Sequence, residues 1–277
     1  MVRVTIIKNS TELGHMKDQQ IQKLGRELYD SLRNGRTVSP LTDRFPEISI
    51  DDAYAISRDM LHRRICVDAE KIIGKKIGVT SKPVQDMLGV FQPDFGFLTD
   101  AMEYPDEAKI PIEGNLIQPR AEGEIAFRLK KGIKGPGINE QDVLDATETI
   151  IPCFEIVDSR IEDWKIKIQD TISDNASCGV YVLGREEVDP RDLDLPSLSM
   201  RVYKNGELHS EGLGSAVQGN PLTAVAWLAN TLGEFDIPFE VNELILSGSL
   251  VPLIPVVKGD KMKLEISGVG RCSCEFI

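Results

Sequence analysis

Between residues 17 and 34 apolar side chains return every three or four positions. Ile21, Leu24, Leu28 and Leu32 share one helical stripe, and Gly35 suits the stop. A second helical pattern starts near Ser49, where Asp52 completes a capping box and Ala53, Ile56, Met60 and Leu61 point inward. Residues 38–46 between them read as loop. From residue 71 the pattern turns strand-like. Strands are expected at 71–80, 95–98, 115–129, 150–157, 179–183, 199–204, 207–210, 243–247, 261–266 and 271–276. Lys204-Asn-Gly-Glu207 is a two-residue hairpin signal. Helices are expected at 81–89, with Pro83 in the first turn and Gly89 past the end, and at 139–148. Another is expected at 221–232, with Asn220 as cap, Pro221 first and Gly233 past the end. The class is therefore α+β: a small helical region, residues 1–68, before a β-rich domain, residues 69–277.

Composition narrows the functions. With 44 acidic and 32 basic residues the net charge is −12, which disfavours nucleic acid and anionic membranes as partners. An anionic substrate would need a local cation. The five cysteines (66, 153, 178, 272 and 274) form no C-x-x-C pair, and His15, His62 and His209 are isolated, so neither a structural zinc nor a disulfide framework is expected. Reduced thiols in a cytoplasmic protein are the expectation. The start, Met-Val-Arg-Val-Thr-Ile-Ile-Lys, turns polar too soon for a signal peptide. No apolar run approaches the roughly 18 residues of a membrane span.

The chemistry centres on Ala121-Glu-Gly-Glu-Ile-Ala-Phe127. Side chains two apart on a strand leave the same face, so Glu122 and Glu124 should lie side by side, about 7 Å apart along the backbone. They repel unless a cation sits between them; the plainer reading is a solvated edge-strand face. Glu155, inside the apolar run Ile151-Pro-Cys-Phe-Glu-Ile-Val157, needs either a metal or a Lys or Arg partner. Three carboxylates suit Mg²⁺ or Mn²⁺ rather than zinc. In Gly74-Lys-Lys-Ile-Gly78 one lysine should face in, to hold a carboxylate or move a proton with a lowered pKa; otherwise both lie on the surface. Asp94 reads as a turn residue or a catalytic one. Asn175 and Ser177 either bond a ligand or cap a turn. The small residues of Leu246-Ser-Gly-Ser-Leu250, Ser249 among them, suit close backbone approach or an ordinary turn. Arg160 is an anion partner or half of a surface ion pair. No phosphate loop, dinucleotide fingerprint or Ser-His-Asp arrangement is present.

Taken together, these blocks resemble the fumarylacetoacetate hydrolase superfamily, and within it the hydratase/decarboxylase branch of meta-cleavage aromatic degradation. The matching stretches are Gly74–Ser81, Val84–Val90, Gln92–Gly96, Pro119–Ala126, Glu155–Trp164, Asp174–Gly179 and Leu246–Leu250. The resemblance implies a mixed β-roll or twisted β-sandwich around a Mg²⁺ or Mn²⁺ held by Glu122, Glu124 and Glu155. It implies Lys76 as the active-site lysine and Asp94 as a second polar site residue. The implied activity is addition of water to a 2-hydroxy-2,4-dienoate, with 4-oxalocrotonate decarboxylation as the alternative. A homo-oligomer, and a complex with that decarboxylase, are implied partners.

Overall fold

The computed structural model describes residues 16–277. His15 and the first eight residues, read above for a signal peptide, lie outside the described residues. The described residues begin with helices α1 (Asp18–Arg33), α2 (Leu41–Arg44) and α3 (Ile50–Cys66). Next come β1 (Ile72–Gly78), α4 (Lys82–Leu88), β2 (Asp94–Thr99), β3 (Glu103–Pro105), β4 (Ala108–Ile110) and β5 (Pro119–Leu129). The middle holds α5 (Glu140–Ala146), β6 (Thr147–Asp158), α6 (Ile168–Ser173), β7 (Cys178–Leu183), β8 (Ser199–Lys204) and β9 (Glu207–Leu213). The chain finishes with α7 (Pro221–Gly233), β10 (Leu244–Leu246), β11 (Ile254–Pro255), β12 (Lys261–Ile266) and β13 (Gly270–Phe276).

Local signals act where they were read. Ser49 caps α3, and its hydroxyl and the Asp52 carboxylate exchange hydrogen bonds with each other's backbone. Asn205 (φ 54°) and Gly206 (φ 87°) turn β8 into β9. Gly89, at φ 67°, ends α4. Three readings change. Residues 41–44, read as loop, form α2. The polar stretch after Trp164 contains α6. Gly233 is the last residue of α7 rather than the one past its end.

Two sheets stack face to face. The larger runs β2-β1-β10-β5-β6-β7-β3, with β11 also on β5; the smaller runs β4-β13-β12-β8-β9. Alternate residues of the larger sheet, such as Ala121, Ile125, Phe127 and Phe154, meet Met200, Val202, Leu264 and Phe276 of the smaller one in the main core. The other face of the larger sheet carries Leu98, Ala126, Cys153, Tyr181 and Leu246. A further cluster unites Leu24, Leu28, Ile56 and Met60 of the N-terminal helices with Ile161, Ile168 and Ile172. Cys153, Cys178, Cys272 and Cys274 are buried free thiols, whereas Cys66 is exposed. Among the described residues no helix is long and apolar enough to cross a membrane.

Candidate active site

Strand β5 pairs antiparallel with β6 so that Glu122 faces Glu155 across the ladder, and Glu124 lies one repeat further along on the same face. One oxygen from each of the three carboxylates lies within 4.8 Å of the others. Glu124 and Glu155 are buried and Glu122 is half-buried. The Gly248 N–H donates to Glu124 Oε2 at 2.9 Å, but Glu124 Oε1 accepts no hydrogen bond. Glu155 Oε1 lies 3.1 Å from Lys76 Nζ, an ion pair outside hydrogen-bond alignment, and Oε2 accepts nothing. Buried carboxylate oxygens without donors are costly, and a divalent cation satisfies such a set. The donor set, all oxygen and all anionic, fits Mg²⁺ or Mn²⁺.

Like charges crowded into this low-dielectric face shift one another. Burial, then the Glu155 charge, pushes the Glu122 carboxyl up to about 8, and the same two causes carry Glu124 well above the carboxylate range. Asp94 is pushed up to about 6, first by burial, with Lys76 pulling the other way.

Lys76 comes from β1, in register with Gly96 of β2, and Gly78 is in register with Asp94. A Cβ at Gly78 would sit 2.3 Å from Asp94 Oδ1 and 3.4 Å from Lys76 Nζ, so only glycine lets these two groups converge. Neither Asp94 oxygen has a hydrogen-bond partner, although the residue is buried. Asp94 is the first residue of β2. Both lysines of the pair are buried, on opposite faces, which corrects the surface alternative. Lys75 pairs with Glu243 and lies 5.2 Å from the Phe239 ring centroid. Burial alone would depress the Lys76 ammonium, but Glu155, Cys178, Asp94 and Glu122 together hold it above the ordinary lysine range. The expectation of a lowered lysine pKa is thus reversed: neighbouring acids outweigh desolvation.

Asn175, Ala176 and Ser177 are consecutive left-handed residues (φ 53°, 52° and 54°), a strained run that needs firm support. Asn175 supplies some of it, since its amide side chain exchanges two 2.9 Å hydrogen bonds with the Phe97 backbone. Arg160 supplies the rest. Fully buried, it bonds Asp174 Oδ1 at 2.5 Å, the Cys178 carbonyl at 2.8 Å and the Asp174 carbonyl at 2.7 Å. It is not a surface ion pair: it is fully buried, and Nε, Nη1 and Nη2 each donate to this loop. Ser177 Oγ lies 3.1 Å from Thr171 Oγ1, and Ser249 Oγ donates to the Val251 carbonyl at 2.7 Å. The five-residue run around Ser249 meets the site through the Gly248 amide instead, a backbone contact no side-chain reading could find. Arg160→Met should leave the Asp174 carboxylate buried and unpaired, lowering stability by about 3–5 kcal/mol in denaturant melts.

The model of the fumarylacetoacetate hydrolase C-terminal family matches residues 72–277. The chain belongs to the fumarylacetoacetate hydrolase family. The 2-hydroxyhexa-2,4-dienoate hydratase of Comamonas testosteroni is 60% identical to this family member over 263 residues, spanning 94% of this chain and 99% of the relative. The 2-hydroxypent-2,4-dienoate hydratase of Pseudomonas putida is 61% identical over 217 residues, 78% of this chain and 97% of that one. Among solved structures of the fumarylacetoacetate hydrolase fold, 4-oxalocrotonate decarboxylase from Pseudomonas putida G7, complexed with magnesium and adipate, superposes with a TM-score of 0.91. It is 32% identical, with 95% of this chain and 99% of that chain covered.

Proposed function

We propose that this protein is a hydro-lyase that adds water to 2-hydroxypenta-2,4-dienoate, giving 4-hydroxy-2-oxopentanoate, in aromatic catabolism. One observation carries the reading: three carboxylates converge within 4.8 Å, with Lys76 on Glu155 and Asp94 beside Lys76. The two hydratases at 60% and 61% identity support it over the decarboxylase at 32%.

Glu122, Glu124 and Glu155 would hold the divalent ion, Mg²⁺ or Mn²⁺, which when bound stabilises negative charge on the substrate's C2 oxygen. The chain's own groups handle the protons. Lys76 Nζ, held charged by its acidic neighbours, moves the protons: it protonates C5 and takes up the C2 enol proton, then protonates C3 and takes up the proton that the water loses as it adds at C4. Asp94 orients Lys76 or the attacking water. Asn175, Ser177 and Ser249 border the site as substrate-side groups, acting through the shape of their loops. Arg160 acts one step behind them, through the loop it braces. Of the 1–68 region, residues 1–15 lie outside the described residues; we assign residues 16–68 as helical and 69–277 as the catalytic domain. We place the enzyme in the cytoplasm as a homo-oligomer, able to associate with 4-oxalocrotonate decarboxylase; co-purification tests that association.

Hydrolytic cleavage of an acylpyruvate would call for a His–Glu pair as base. Among the described residues His62 is exposed beside Cys66, and His209 is exposed on β9, so no described histidine serves the carboxylate cluster.

The deciding experiment follows loss of dienol absorbance and release of CO₂ from both candidate acids, with EDTA and then metal add-back. Hydration without CO₂, abolished by EDTA and restored by Mg²⁺ or Mn²⁺, is expected. Full activity in chelator sinks the reading.

Metal uptake should also be linked to protons. A carboxyl held near 8 keeps its proton at neutral pH, and a cation must displace it. Mg²⁺ binding to chelator-treated protein at pH 7 should release protons, and affinity should rise with pH up to about 8. Calorimetry in buffers of differing ionisation enthalpy reads the number directly.

A further inference from the structure

Strand β2, which begins with Asp94, lies at the end of the larger sheet, so one of its backbone edges faces no paired strand. Side chains cover that edge instead. The Asn175 amide takes both the N–H and the carbonyl of Phe97, as a neighbouring strand would. A Cβ at Gly96 would sit 2.5 Å from the Asn175 carbonyl oxygen and 2.7 Å from Cys178 Sγ, so the start of β7 closes tightly on β2 there.

Nearer Asp94 the cover comes from the helical region. Tyr54 of α3 lays its ring on Phe95, with centroids 4.3 Å apart and planes 14° from parallel. Phe95 in turn meets Phe97 edge-on at 6.0 Å. Tyr54 packs against both the N-terminal cluster and the main core, so it joins the helices to the sheet at this point. Phe95 directly follows Asp94, and whatever fixes Phe95 fixes where the carboxylate starts.

The phenol also bears on the carboxylate itself. Burial raises the Tyr54 phenol above the ordinary tyrosine range, the Asp94 charge raises it further, and the Phe95 amide acts the other way. Asp94 is 1% exposed and neither of its oxygens has a hydrogen-bond partner. An O–H beside an unpaired buried carboxylate is the donor that such a group lacks.

We propose that Tyr54 is a positioning residue for Asp94: its ring fixes the start of β2, and its hydroxyl orients the carboxylate toward Lys76. The helical region thereby contributes to the active site as well as packing beside it. The inference rests on the role given to Asp94 above and adds a residue behind it.

The test is a double-mutant cycle on Mg²⁺-loaded enzyme with Tyr54→Phe, Asp94→Asn and the pair, read on whichever of the two candidate acids wild type turns over. Tyr54→Phe keeps the stack and removes only the hydroxyl. It should melt within about 4 °C of wild type and bind Mg²⁺ as wild type does. Its kcat should fall about tenfold while KM changes less than about twofold. In the Asp94→Asn background the same substitution should cost less than about twofold, because the carboxylate it acts through is gone. Tyr54→Leu, which loses the stack as well, separates packing from positioning. A wild-type kcat in Tyr54→Phe, with loss confined to Tyr54→Leu, makes the residue packing alone and overturns the proposal. An equal loss with and without the Asp94 carboxylate overturns it too. Wild-type turnover reports on the functional reading separately: CO₂ release in place of hydration changes the reaction, and the cycle still reads the coupling of Tyr54 to Asp94.

Discussion

Glutamine at position 155 should abolish Mg²⁺-dependent turnover by two routes at once. Glu155 contributes one of the three converging carboxylates and is also the ion-pair partner of Lys76 at 3.1 Å. The amide keeps the shape but loses the charge, so the divalent ion loses an anionic oxygen. Lys76, 3% exposed, then keeps its charge only at a cost, since burial is the largest influence on it and acts against the ammonium. The expected result is metal affinity weakened about a hundredfold or more, and kcat/KM down by at least about a thousandfold even at saturating Mg²⁺. Calorimetric titration with Mg²⁺ and steady-state kinetics on the same preparation check it, with circular dichroism confirming the fold. A Glu155→Gln protein that binds and turns over like wild type removes this carboxylate from the centre.

Lys76→Ala separates those routes. It takes away the proton donor and leaves all three acids. The lysine competes with a metal for Glu155, so its loss should leave Mg²⁺ binding at least as tight as in wild type. It should also leave Glu155 buried without a cation, so the variant should melt lower in chelator and recover more than wild type when Mg²⁺ is added. Turnover at saturating metal should fall by about 10²–10⁴, the usual contribution of a placed acid or base. Weakened Mg²⁺ binding together with a normal kcat would make Lys76 a structural counter-ion and nothing more.

The parts of this molecule that short-range rules govern were legible. The Ser49–Asp52 box, the Asn205-Gly206 turn and the alternation that puts Glu122 and Glu124 on one face each depend on a few adjacent residues. The convergence of Glu155, which comes from the partner strand β6, was legible only through the family resemblance. The short strands β3, β4 and β11 have too few residues to show a period. The role of Arg160 was hidden for another reason. Its partners are Asp174 and two backbone carbonyls, and a buried charge that satisfies another buried charge looks, in a linear chain, like two surface residues. Lys76 was placed in the site, but its charge state was not. That depends on β1 pairing in parallel with β10, whose residues lie far along the chain, and so reaching the acids of β5 and β6. Parallel pairing over such a separation leaves no local mark.

The direct opposition of Glu122 and Glu155 across β5 and β6 also bears on how the chain assembles. A slip of one residue along β5 would swing Glu122 and Glu124 into the apolar layer against Met200 and Val202, and send Ala121 and Ile125 out in their place. The acids thus veto misaligned sheets before any substrate is met, and ligation by a divalent ion would reward only the correct alignment. Selection for catalysis and selection against misfolding act on the same three side chains.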